Sequence, residues 1–399
     1  MAMNQYLSNK MPIAPLKLII MASMKDFGKR VNDYLVQFRQ EINQPHQNSP
    51  AFQEYRMENF RVDFTATRHV TGEANLLLNE TIRGKDLYIL TDVLNRSITY
   101  NIHGYENSFS PDDHFQDLKR AIGAAAGKAH RITIIMPFLY EGRQHKRSGR
   151  ESLDCALMLE ELASMGVARL ITFDAHDPSI QNAAPLCGFD NFTPFYQFMQ
   201  ALLHNVADMK IDRDHTLIIS PDEGALSRAV YFASVMSVDT GMFYKRRDYT
   251  RIEKGKNPIV AHEFLGDNVE GKDVIVVDDM ISSGSSMLDT AKQLKNMGAK
   301  RVFICCTFGI FTDGFAEFDE AYKKGYFEKV ITTNLTYRNP EIFKKPYYIE
   351  ADMAKFMASI IDCSNHDVSM THVQTPTDRI KAILKWYNET DGTLRSDIE

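Results

Sequence analysis

Short apolar runs alternate with stretches of helical periodicity along most of the chain. Leu16 to Ala22 (LKLIIMA), Asp86 to Leu90 (DLYIL), Ile132 to Met136 (ITIIM) and Leu170 to Phe173 (LITF) predict buried strands. Helical spacing over 25–40, 114–126 and 153–165 predicts the helices between them. The pattern then begins again, with helices over 195–205 and 225–235 and strands at 217–219, 242–244, 274–277, 302–306 and 330–332. Val/Ile runs without polar alternation are what a strand covered on both faces of a parallel sheet requires. Strand and helix taken in turn give βαβ units, so the expected fold is α/β, with two similar halves that each carry a mainly parallel sheet flanked by helices. The expected organisation is an N-terminal extension over 1–15, a first domain over 16–193, a second over 194–365, and a link with a final helix over 366–399. That helix, 378–387, can pack on either half. Residues 41–59 are polar and hold Pro45 and Pro50, which reads as a long loop or insertion.

Composition narrows the class. A chain of 399 residues with 44% hydrophobic and 25% charged residues is long enough for about two ordinary globular domains. A net charge of −6 argues against a protein that coats nucleic acid. The five cysteines (155, 187, 305, 306 and 363) show no metal-ligand spacing and read as reduced thiols. No apolar run approaches the length of a membrane span, and the start lacks the apolar core of a signal peptide, so the expected location is the cytoplasm.

The chemistry collects where predicted strands end. Val274 to Val277 runs into Asp278 and Asp279, then into Ser282, Ser283, Gly284, Ser285 and Ser286, and then into a helical pattern. Small residues at a strand-to-helix turn offer backbone amides and a helix N-terminus to a phosphate, and adjacent carboxylates can accept hydrogen bonds from a diol. Such a pairing suits a ribose phosphate; an ordinary turn whose acids cap the helix or hold a lone metal has the same residues. Other predicted strands are followed by Arg143, His145, Lys146, Arg147 and Arg150, by Asp174 and His176, by Asp222, and by Lys245, Arg246 and Arg247. Ligands of doubly wound sheets bind outside the carboxyl ends of strands, so these groups suit a polyphosphate with a divalent metal. Taken singly, each has a plainer reading: solvated loop, structural histidine, helix cap, surface charge cluster.

Taken in order, these residues resemble the ribose-phosphate diphosphokinases, or phosphoribosyl pyrophosphate (PRPP) synthetases. The resemblance rests on TGEANLLLNETIRGKDLYIL at 71–90, MPFLYEGRQHKR at 136–147, ITFDAHDPSIQ at 171–181, ISPDEGALSRAV at 219–230, FYKRRD at 243–248 and VEGKDVIVVDDMISSGSSM at 269–287. It implies two phosphoribosyltransferase-like domains and the transfer of diphosphate from Mg-ATP to the C1 hydroxyl of ribose 5-phosphate, giving PRPP and AMP. It also implies roles. Lys245 and Arg247 would stabilise the transferring group. Arg143, Gln144, His69, Glu73 and His176 would bind ATP, with His176 and Asp222 associated with Mg²⁺. Asp278 and Asp279 would hold the ribose hydroxyls, and Ser282 to Ser286 the 5-phosphate. Glu73 matches a segment that reaches a neighbouring subunit's adenine site, so the resemblance implies a homo-oligomer built on dimers, such as a hexamer, with ATP at a subunit interface. No nucleic-acid or membrane partner is implied.

The chain also departs from the family's pattern. Ser282-Ser283-Gly284-Ser285-Ser286 stands where Asp-Thr-Gly-Gly-Thr is usual, His145 where Arg-Gln is usually followed by Asp, and His69 where an aromatic is expected on adenine. Two alternatives stay open at this point: a non-catalytic regulatory relative, and a phosphoribosyltransferase that consumes PRPP. Lys245, Arg247 and Arg143 speak against the first, and Arg143-Gln144 with Asp174-x-His176 against the second. A Walker-type kinase is disfavoured, because no G-x-x-x-x-G-K-[ST] occurs.

Overall fold

Apolar strands seek cover on both faces, and the chain provides it twice. A computed structural model describes residues 10–44, 50–147, 149–247, 259–375 and 377–389. They form two units: the described parts of Met1–Thr193, Asn334–Tyr337 and Asp352–Gln374, and those of Pro194–Thr333, Arg338–Ala351 and Thr375–Glu399.

In the first unit β1 (Leu16–Ile20) leads into α1 (Lys25–Asn43), whose Phe27, Val31, Leu35, Phe38 and Ile42 recur at helical spacing and are buried. Gly28 lets this helix close on the sheet, since a Cβ there would stand 2.4 Å from Ile20 Cγ2. The hairpin β2 (Phe64–Arg68) and β3 (Ala74–Leu78) follows, then β4 (Asp86–Leu90) and a second hairpin, β5 (Thr99–Ile102) and β6 (Tyr105–Ser108). Helix α2 (Pro111–Ala125) starts on a capping box between Ser110 and Asp113 with proline at its first position. Then come β7 (Arg131–Ile135), α3 (Asp154–Ser164), β8 (Arg169–Phe173) and β9 (Gly188–Phe192). The sheet order is β1-β4-β7-β8-β9, parallel throughout.

The second unit opens with α4 (Phe195–Asn205), β10 (Thr216–Ser220), α5 (Leu226–Met236), β11 (Asp239–Arg247) and β12 (Ile259–Leu265). It continues through β13 (Asp273–Ile281), α6 (Ser285–Asn296), β14 (Arg301–Gly309), α7 (Ala316–Lys323), β15 (Lys329–Thr333) and β16 (Tyr348–Ala351). The order is β12-β11-β10-β13-β14-β15-β16, parallel except for β12 against β11. Successive residues of β13 serve opposite cores. Ile275 and Val277 join Ile218, Phe303 and Ile331 on one face, while Val274 and Val276 join Leu217, Ile219 and Ile304 on the other.

The two sheets share a device. Asp86 on β4 takes a forked ion pair from Arg131, its register partner on β7, with Nε and Nη2 each 2.8 Å from a carboxylate oxygen. In the second unit Asp273 on β13 takes the same fork from Arg301 on β14, at 2.8 and 2.6 Å. Both acids are buried, and bidentate pairing to arginine satisfies them.

Three features differ from the sequence expectation. First, α8 (Ala354–Asn365), placed by sequence order in the second domain, belongs to the first unit. Phe356 packs edge-on against Phe173 and Phe192, and Asp362 pairs with Arg39 of α1 at 2.6 Å. The short α9 (Thr371–Gln374) stays with this unit, whereas α10 (Thr377–Glu389) buries Ile380, Ile383, Leu384 and Tyr387 in the second. Second, 41–59 is not all loop: α1 runs to Asn43, and a 3₁₀ stretch over Pro50–Arg56 buries Tyr55. Residues 45–49 of that segment lie outside the described ones. Third, β11 and β13 are nine residues each, so β13 continues through Asp278 and Asp279 instead of ending before them.

Candidate active site

In the second unit the candidate cradle grows from β13. Its apolar run, buried at every position, carries Asp278 and Asp279 to the edge of the core, where Asp279 is only 4% exposed. The Asp279 amide donates to Asp278 Oδ1 at 2.8 Å, and Arg228 Nη1 on α5 lies 3.6 Å from the same oxygen. Burial first, then the charge of Asp279, hold the Asp278 carboxyl well above the usual carboxylate range; Arg228 opposes this, and Asp222 adds to it. Asp222 caps the turn into α5, its Oδ1 accepting from the amides of Gly224 at 3.1 Å and Ala225 at 3.3 Å. These bonds lie within the turn ahead of α5, whose N-cap is Ala225 without a side-chain cap bond, and Asp222 adds to the negative potential at Asp278.

The turn after β13 is fixed by close approach. Gly284 has φ of +93°, and a Cβ on it would stand 2.2 Å from Phe318 Cε2. Ser282 O accepts from the Thr312 amide at 2.9 Å, and the hydroxyls of Ser283 and Ser285 meet at 2.8 Å. Helix α6 begins at Ser285 with no side-chain cap and no acid in its first turn, so its leading amides and dipole favour an anion. Lys245 and Arg247 are on β11, whose register with β12 shifts between Arg246 and Arg247. The side chains of Lys245 and Arg247 lie outside the described residues.

In the first unit two strand-end loops meet. After β7, a turn in which Gln144 N donates to Glu141 O at 2.7 Å leaves Arg143 and Gln144 exposed. After β8, Asp174 is buried with φ of +44°, and His176 is exposed beyond it. His145 joins the loops: its Nδ1 lies 3.2 Å from Gly142 O, its Nε2 3.3 Å from Asp177 Oδ2, and its ring 5.5 Å from that of His176. Asp177 is held below the usual carboxylate range, chiefly by its hydrogen bonds from Ser179.

His69 and Glu73 face each other across the tip of the β2–β3 hairpin, where His69 N donates to Glu73 O at 2.7 Å; both side chains are exposed. Arg68 anchors this hairpin, stacked 4.4 Å from the Tyr100 ring and 4.6 Å from the Phe109 ring and paired with Asp117 at 3.3 Å. Sequence reasoning missed Arg68, Arg228 and Asp177. Arg228 had a signal, since it lies in the first turn of the helix that follows the Asp222 turn.

Among the described residues no three or more His, Cys, Asp or Glu side chains are arranged to hold a metal by themselves. His176 belongs to the first unit and Asp222 to the second. A hard cation such as Mg²⁺ is commonly bound through one or two carboxylates plus substrate phosphates, so the oxygen donors Asp222, Asp278 and Asp279, with their mutual repulsion, fit that chemistry.

The chain thus has two α/β units, the second with an acid pair and a glycine turn at the head of a helix. The model of the N-terminal domain of ribose phosphate pyrophosphokinase matches residues 16–166, and that of the phosphoribosyl transferase domain matches 194–337. The ribose-phosphate pyrophosphokinase of Pasteurella multocida is 30% identical over 285 residues, covering 70% of this chain and 81% of that protein. That of Corynebacterium efficiens is 30% identical over 253 residues, covering 62% of this chain and 70% of that protein. The chain belongs to the ribose-phosphate pyrophosphokinase family. The fold is shared with the crystal structure of phosphoribosylpyrophosphate synthetase from Mycobacterium smegmatis, at 22% identity and a TM-score of 0.66, over 88% of this chain and 99% of that one.

Proposed function

We propose that the chain is a ribose-phosphate diphosphokinase. The anomeric hydroxyl oxygen of ribose 5-phosphate attacks the β-phosphorus of ATP, the bond from that phosphorus to the α,β-bridging oxygen breaks, and AMP leaves as the hydroxyl proton is lost. The observation that carries this reading is the Asp278–Asp279 pair, half-buried and buried respectively, shortly before the Gly284 turn and the uncapped start of α6. It offers diol acceptors and a phosphate nest a few residues apart.

Ser282 to Ser286 present hydroxyls and amides to the 5-phosphate, and the two acids accept from the 2- and 3-hydroxyls. Arg143, Gln144 and His176 take the nucleotide from the strand-end loops of the first unit, while His69 and Glu73 take its base from a hairpin tip. Lys245 and Arg247 neutralise charge on the transferring group, the largest task a protein performs in phosphoryl-type transfer. Asp222, with phosphate oxygens of the nucleotide, would hold Mg²⁺, which would supply charge neutralisation on the polyphosphate. The β2–β3 hairpin, with Val70 77% exposed at its tip and Leu77 62% exposed on β3, supports a homo-oligomer with ATP at a subunit interface. Among the described residues no helix is long and apolar enough to cross a membrane, which accords with a cytoplasmic enzyme.

The test is AMP formation that requires ATP, Mg²⁺ and ribose 5-phosphate together. Folded protein that binds ATP and forms no AMP would support a regulatory relative instead, and diphosphate released from PRPP on adding a base would support a phosphoribosyltransferase.

A further inference from the structure

His145 stands immediately after Arg143 and Gln144 yet spends both ring nitrogens on protein oxygens. Nδ1 faces Gly142 O at 3.2 Å within its own turn, and Nε2 faces Asp177 Oδ2 at 3.3 Å in the next strand-end loop. Its side chain is 10% exposed, whereas Arg143 and Gln144 are exposed. Asp177 is itself immobilised, because its other oxygen accepts from the Ser179 amide at 2.9 Å and caps the 3₁₀ turn Pro178–Ala183. One side of the contact is thus a fixed carboxylate next to His176, and the other is a ring bonded to the turn that presents Arg143. A histidine so engaged cannot reach a nucleotide while it holds both oxygens, but it can fix the residues that do.

We propose that His145 and Asp177 form a latch that keeps the Arg143–Gln144 turn and the His176 loop in register, making them positioning residues that set nucleotide affinity and not the rate of transfer. The inference rests on the diphosphokinase reading for its kinetic readout and on the geometry alone for its binding readout.

The experiment is a double-mutant cycle on the full chain with His145→Ala, Asp177→Asn and the double variant. Asp177→Asn keeps an oxygen for the Ser179 cap and removes the charge facing His145. The expected result is KM for ATP raised about fivefold in each single variant and no further in the double, as for a modest ion pair. Turnover and KM for ribose 5-phosphate are expected to stay within about twofold. His145→Gln, whose amide nitrogen reaches the place of Nε2, is expected to recover most of the loss. Additive effects, an unchanged KM for ATP, or a fall in turnover alone would overturn the latch. If wild-type protein forms no AMP, the diphosphokinase reading fails by itself, and calorimetric ATP binding by the same variants decides the latch. Equal ATP binding by all variants, or none by wild type, would then overturn it.

Discussion

Arg228 faces Asp278, with Nη1 3.6 Å from Oδ1, and it is the counter-charge that works against the repulsion between Asp278 and the adjacent Asp279. The pair is imperfectly compensated: burial and Asp279 still outweigh the arginine and keep the Asp278 carboxyl well above its ordinary range. A site that stores unfavourable charge in the free protein is ready for a ligand or cation that relieves it.

Asp278→Asn is therefore expected to stabilise the free protein by about 0.5–2 kcal/mol at neutral pH while weakening ribose 5-phosphate binding. The sign follows from linkage. A carboxyl whose folded pKa is raised contributes stability below its unfolded value of about 3.9, and that contribution is lost as pH rises through the folded value. The melting-temperature gap between variant and wild type should be widest at neutral pH and close on acidification. A gap that widens in acid would contradict the assignment.

Gly284→Ala tests the turn. A left-handed position costs a side chain about 1–2 kcal/mol, and the clash with Phe318 adds about 1–3 kcal/mol of overpacking. Denaturant unfolding should show the loss, and Phe318→Leu in the same chain should recover part of it. The variant should bind ribose 5-phosphate worse than ATP.

The segment from 50 to 56 is tied to the end of α8, since Tyr55 OH lies 2.7 Å from His366 Nε2 and His366 Nδ1 lies 2.7 Å from Asp362 O. Tyr55→Phe leaves a buried ring nitrogen without that partner and should cost about 1–3 kcal/mol. Burial first, and then the charge of Arg39, lower the His366 pKa. A histidine with a lowered folded pKa gives stability that is present above its unfolded value of about 6.5 and lost as pH falls through the folded one. Replacing His366 with Gln should flatten the loss of stability seen below about pH 6.5 in a pH series of melting curves.

Lys245→Ala should lower turnover by about two to three orders of magnitude with a much smaller change in ATP affinity, since its assigned contact strengthens only as charge moves to the transferring group. Steady-state kinetics alongside ATP calorimetry separate the two. Unchanged turnover would displace the proposed centre from β11.

The parallel strands were legible because burial on both faces leaves an unbroken Val/Ile signature: Val274–Val277 and Ile132–Met136 each coincide with a central strand. The hairpin β5–β6 was not, because TYNIHGYENS is polar and half-exposed and its alternation spans only the four residues TYNI. Helix α8 was lost for another reason. Its partners Arg39 and Phe173 are far away in sequence, and nothing local marks the return of the chain to the first unit. At the site, strand ends pointed to Asp278, His176 and Arg143. The partners that tune them, Arg228 and Asp177, sit beyond the first polar residue after a strand and become visible only as distances.

The most direct test of the central claim follows the β-phosphorus. With ATP labelled there, Mg²⁺ and ribose 5-phosphate, the label should appear on C1 of the ribose product in step with unlabelled AMP. Label that stays in a nucleotide, or product that carries only the γ-phosphorus, would contradict diphosphate transfer by this chain.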